Sequence, residues 1–227
     1  MSTLVSHWQS SSRYRALGER SWRRFLFAFA IVLGGACSRQ TGGPSSQPVT
    51  DVALRAELLR RVASDQAVRE QFASVLRRGG QPDSALIARM ASVDATNSRW
   101  LADVVARRGW PSRALVGEDG ADAAFLLVQH ADADTAFQAR VLPLLTRAFH
   151  AGDATGQQLA LLTDRVATAR AQPQVYGTQV KLIAGRTVLM PIGDSAGVDA
   201  RRAAVGLPPL RDYLRLLDSA YRSMPAH

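Results

Sequence analysis

From Asp51 onward, apolar side chains return every three or four residues, and glycine or proline interrupts each run. That spacing lines one face of a 3.6-residue helix, which restricts the chain to helices packed on one another. Leu54, Leu58 and Val62, then Phe72, Val75 and Leu76, follow it behind Asp51, a residue suited to cap the first turn. Gly79-Gly80-Gln81-Pro82 ends that segment. Asp83 or Ser84 caps the next, in which Leu86, Ile87, Met90, Val93, Asn97, Leu101 and Val104 share a face up to Arg107-Arg108-Gly109. Trp110-Pro111 opens a loop, and Gly117 to Gly120 lead into a third helix through Ala131. Asp134 caps a fourth, carrying Phe137, Val141, Leu144, Leu145 and Phe149 to Gly152. A fifth covers about 155–169.

Only once does the period change. Residues 176–183 and 186–192, joined by Ala184-Gly185, read as a β-hairpin. A short helix around 198–205 and a last one after Pro208-Pro209 complete the chain. The fold class is therefore mainly α: a single helical domain over 51–227, of six or seven helices, with one β-hairpin at about 176–192. A chain of 227 residues with 47% hydrophobic side chains supplies one core of ordinary size, and one cysteine excludes a disulfide scaffold.

The N-terminal stretch has a different character. Basic residues ending in Arg23-Arg24 precede an apolar run at 25–33 and the small residues Gly34-Gly35-Ala36, the layout of a signal peptide over 1–36. The run is too short for a comfortable membrane span. Cys37 follows directly, as in a bacterial lipoprotein box, where the thiol is diacylated and becomes the mature N-terminus. Two departures stand beside it: Leu33 lies four residues before Cys37 rather than three, and Arg23-Arg24-Phe25-Leu26 faintly resembles a twin-arginine signal. The Ser/Gly/Pro/Gln-rich residues 38–50 read as a flexible tether. The expected location is the cell envelope, lipid-anchored to a membrane.

Charge confirms the division. The formal excess of +9 falls to +5 without residues 1–36, which hold five arginines and one glutamate. In the remainder acids and bases alternate, as in Arg55-Ala56-Glu57 and Arg69-Glu70, so no basic stripe is available to follow a nucleic-acid backbone. Nucleic acid is not an expected partner.

No Gly-rich phosphate loop, His-Glu-x-x-His, Gly-x-Ser-x-Gly or cysteine nucleophile occurs after Cys37. Three weaker constellations carry the chemistry. In Gln129-His130-Ala131-Asp132-Ala133-Asp134, His130 suits a general base, or a metal ligand beside Asp132 or Asp134. The same aspartates equally suit helix caps, with His130 a hydrogen-bonded helix-end histidine. Thr163-Asp164-Arg165 interrupts an apolar helix, where bare charge is costly, and reads as an ion pair or a site. Tyr176-Gly177-Thr178-Gln179 places polar groups at the start of the hairpin.

Taken in order, Asp65-Gln66-x-x-Arg69, Asp94-x-x-Asn97, Gly109-Trp110-Pro111, Val128-Gln129-His130-Ala131-Asp132, Leu162-Thr163-Asp164-Arg165 and Tyr176-Gly177-Thr178-Gln179 resemble an uncharacterised bacterial family, a domain of unknown function. The closing Val198-Asp199-Ala200-Arg201-Arg202 and Gly206-Leu207-Pro208-Pro209-Leu210 share the resemblance, which spans about 54–217. It implies no activity, but it favours a shared pocket over separate caps for its polar residues. The expected site centres on His130, with Asp164 and Asp134 as candidate catalytic partners. Trp110, Gln129, Arg165, Tyr176, Thr178 and Gln179 are the candidate ligand-binding residues, and no residue is assigned to a metal. The leading expectation is an envelope-tethered module binding a polar ligand or an envelope partner. The alternative is a hydrolase-like enzyme with His130 as general base and an aspartate partner, possible with or without a metal.

Overall fold

A computed structural model describes residues 49–183 and 186–222. The expected signal peptide, the expected acylation at Cys37 and residues 38–48 of the expected tether lie outside the described residues, as does the Ala184-Gly185 turn.

Five long helices come first: α1 (Val52–Arg77), α2 (Ser84–Arg108), α3 (Arg113–Gln129), α4 (Thr135–His150) and α5 (Gly156–Ala169). Each starts where a side chain can satisfy a free amide. Asp51 accepts from Leu54 N (2.9 Å), Asp83 from Leu86 N (2.7 Å) and Asp134 from Phe137 N (2.9 Å). Thr155 and Gln158 exchange bonds in a capping box at the head of α5. The α3 helix begins earlier than its pattern suggests. Ser112 caps an additional turn from Arg113, and Gly117, at φ 77°, bends the helix where the sequence reads as a loop.

The α3 helix is the centre of the bundle, packed against α1, α2, α4 and α5. Its residues Ala121, Ala123, Ala124, Phe125, Leu127 and Val128 are all buried, so its second half from Ala123 on lies inside the bundle. Around it, Leu54 and Leu58 of α1, Leu101 and Val104 of α2, Phe137, Val141 and Leu145 of α4, and Leu161 and Leu162 of α5 close one core.

The C-terminal part adds β1 (Val180–Ile183), β2 (Arg186–Leu189), α6 (Val198–Ala204) and α7 (Leu210–Arg222). The strands pair antiparallel, Val180 opposite Leu189 and Ile183 opposite Arg186. Regular pairing is thus shorter than the expected 176–192, for a physical reason. The amides of Val175, Tyr176 and Thr178 donate to the Asp164 carboxylate, which takes them from any ladder. The Gln174 side chain bridges the same gap, donating to the carbonyls of Gln179 and Met190, both at 2.9 Å. A Cβ on Gly156 would fall 1.8 Å from the Val205 carbonyl oxygen, so only glycine lets α5 start against the end of α6. Among the described residues there are seven helices and one two-stranded hairpin, and no helix is long and apolar enough to cross a membrane.

Candidate functional site

The α1 and α2 helices face each other through polar side chains at helical spacing. Arg61, Asp65 and Arg69 stand one turn apart on α1, and Asp94 and Asn97 one turn apart on α2. Arg69 Nη2 donates to Asp94 Oδ1 at 2.6 Å, and Arg61 Nη1 to Asn97 Oδ1 at 3.1 Å. Arg61 also stacks on Trp100, 4.2 Å from the ring centroid.

Into this seam comes His130, the residue that caps α3 at its C-terminus. Its Nδ1 lies 2.8 Å from Asp65 Oδ2 and 2.9 Å from Arg69 Nε. One nitrogen cannot donate to the carboxylate and accept from the guanidinium together. An ionised Asp65 accepts only, which assigns the proton to Nδ1, and Arg69 Nε stands 3.3 Å from Asp65 Oδ1 as its ion-pair partner. Gln66 Nε2 completes the shell of Asp65 at 2.8 Å. The other ring nitrogen, Nε2, is buried and has no partner among the described residues. Asn97 Nδ2 and Arg165 Nε share that condition.

Electrostatics follow from burial. Asp65 is 0% exposed and His130 5%. Burial, the largest influence on Asp65, pushes its carboxyl up, yet His130, Arg69 and Gln66 together hold it below its ordinary value. Burial pushes His130 down, Asp65 raises it, and Arg69 and Arg165 lower it again, so the imidazole sits below its ordinary value. Asp94 goes the other way: burial raises it, Asp65 and Asp132 add to this, Arg69 offsets part, and it arrives at about 7.

At the outer side, Arg165 of α5 pairs with Asp132, two residues after His130. Their side chains are 11% and 22% exposed, against 9% or less for Asp65, Arg69, Asp94 and His130, so this pair forms the rim. Arg165 acts electrostatically on His130, and Asp132 on Asp94. Two surface depressions, of about 630 and 480 Å³, are lined by other residues.

The expected residues divide. His130 and Arg165 belong to the cluster, and buried Gln129 precedes His130, its carbonyl 3.4 Å from Gln138 Nε2. Asp134 does not partner His130, because its carboxylate is spent on capping α4. Nor does Asp164. That carboxylate accepts from Val175 N (2.7 Å), Tyr176 N (2.9 Å), Thr178 N (2.8 Å) and Thr178 Oγ1 (2.9 Å), and it pins the loop before β1. Tyr176, Thr178 and Gln179 are part of this second, structural centre. Arg202 Nη1 donates to the Tyr176 carbonyl at 2.7 Å, and Gln179 Nε2 reaches Thr178 Oγ1 at 3.1 Å. Asp164 and Arg165 are not an ion pair, since neighbours on a helix diverge. Trp110 packs against the core, with its Nε1 buried and unpartnered among the described residues. No group of three or more His, Cys, Asp or Glu among the described residues is arranged to hold a metal ion.

Asp65, Arg69 and Asp94 complete the site, and sequence reasoning left them out of it. For Asp65 and Arg69 the signal was an acid and a base four residues apart inside the apolar stripe of α1, and for Asp94 an acid one turn before Asn97 on the apolar face of α2.

The chain belongs to a family of unknown function, DUF6624, which it matches over residues 52–224. No curated protein and no solved structure gives a significant match.

Proposed function

We propose that this chain is an envelope-tethered ligand-binding module, acylated at Cys37, whose helical domain reads a polar ligand at His130. One observation carries the ligand-binding part: a nine-tenths buried histidine is fixed through Nδ1 by Asp65 while its Nε2 has no partner among the described residues. A histidine kept for packing satisfies both nitrogens, because an unmet buried polar atom costs about 1–3 kcal/mol. The tether rests on the basic, apolar and small-residue order before Cys37.

A second reading has its own support. A carboxylate on Nδ1 of a neutral imidazole with a bare Nε2 is the arrangement of a general base, which makes the hydrolase-like alternative Asp65–His130 rather than His130 with Asp134 or Asp164.

The binding reading is tested by thermal shift of the full chain against a panel of polar metabolites. A ligand that stabilises the wild type and loses its effect on His130→Gln supports it. Equal shifts in both proteins contradict it. Labelling with a palmitate analogue tests the anchor: signal in the wild type and none in Cys37→Ala supports acylation, and equal labelling refutes it.

A further inference from the structure

We infer that the His130 site takes a neutral group carrying a hydrogen-bond donor beside an acceptor, a carboxamide or hydroxyl, and rejects both carboxylates and ammonium groups. The inference rests on the ligand-binding reading and narrows it to a chemical class.

The unmet atoms set the requirement. His130 Nε2 offers a lone pair, while Asn97 Nδ2 and Arg165 Nε each offer a hydrogen, and all three lack partners among the described residues. His130 and Asn97 are both 5% exposed, so water at the surface does not serve them. The pairings tie the three side chains to one polar cluster. Arg61 bonds Asn97, and Asp65, one turn further along α1, bonds His130. Arg165 pairs with Asp132 beside His130.

Charge excludes the alternatives. A carboxylate would satisfy the two donors, but its oxygens would face the Nε2 lone pair, and burial opposes the protonation that would relieve this. The field gives an anion no support, because Arg69 and Arg165 already face Asp65, Asp94 and Asp132. An ammonium would satisfy Nε2 and leave the Asn97 and Arg165 hydrogens unmet. A carboxamide or a hydroxyl answers both demands at once.

Acetamide, acetate and methylammonium isolate the three cases. Each is titrated into the full chain with ¹⁵N-labelled histidine, reading the His130 ring signals. Acetamide is expected to move the Nε2 resonance saturably, with the other two at least about tenfold weaker, the value of one hydrogen bond. In Asn97→Asp, which keeps an oxygen for Arg61 and replaces the donor, acetamide should weaken about tenfold and methylammonium should gain. Preference for acetate or methylammonium in the wild type overturns the class while leaving a binding site. An acetamide effect unchanged in a His130→Gln thermal titration removes the site itself. Silence of the His130 signals to all three probes also overturns the class, and the metabolite panel then decides the site separately.

Discussion

The Asp65 carboxylate receives the Nδ1 proton of His130 at 2.8 Å, joining the middle of α1 to the end of α3 across 65 residues of sequence. This bond fixes the ring and leaves Nε2 as its free pole. It also makes Asp65 the hub of a buried network, since Arg69 and Gln66 reach the same carboxylate.

Removing the hub should therefore cost stability as well as function. Asp65→Ala leaves Arg69 buried with Asp94 as its remaining anionic partner, and breaking a buried pair costs about 3–5 kcal/mol. Urea unfolding should show the unfolding free energy falling by that amount. A loss below about 1 kcal/mol means that the network is not coupled as described.

The position of Asp65 explains what the sequence withheld. Helix limits were legible from caps and glycines, because those signals are local: Asp51, Asp83 and Asp134 each bond a backbone amide three residues on. His130 stood out for the same reason, at the end of an apolar run. Its partner did not, because α1 meets α3 only through tertiary packing, and nearby Asp132 and Asp134 fit the motif equally well. The Asp164 loop misled differently. Polar residues ahead of a strand look like a site, whereas Tyr176 and Thr178 donate to a carboxylate that stands in for a missing ladder, with Gln179 bonded to Thr178 Oγ1.

That distinction is measurable. Asp164→Ala strips four donors of their acceptor, each worth about 1–3 kcal/mol when left unmet, so it should lower stability by at least about 3 kcal/mol. The fraction still folded should bind the ligand as the wild type does, read by isothermal titration. Intact stability with lost binding would return Asp164 to the site.

Asp94 gives a pH signature of known sign. A carboxyl raised to about 7 in the folded chain, from about 4 when unfolded, holds a proton in the native state that the unfolded state has lost. Its contribution to stability therefore falls as pH rises from about 4 to about 7 and is flat above. His130, lowered by burial, works the opposite way below its ordinary value, so the comparison must be with a variant. The melting temperature of Asp94→Asn relative to wild type should climb as the pH rises from about 4 to about 7 and level off above. A difference that does not change with pH contradicts the raised carboxyl.

Gly156→Ala tests the packing of the C-terminal part. Elsewhere alanine in a helix stabilises relative to glycine, but here the new methyl would meet the Val205 carbonyl at 1.8 Å. The expected loss is about 3 kcal/mol by calorimetry, at the upper end for overpacking. A neutral or stabilising result means that α5 and α6 do not approach this closely.

The central claim is the state of one ring, and ¹⁵N spectroscopy of His130 reads it directly in the full chain. The account predicts the tautomer with hydrogen on Nδ1 and a bare Nε2 at pH 7, persisting as the pH falls below the ordinary histidine value. Hydrogen on Nε2, or a charged imidazolium at pH 7, would contradict it.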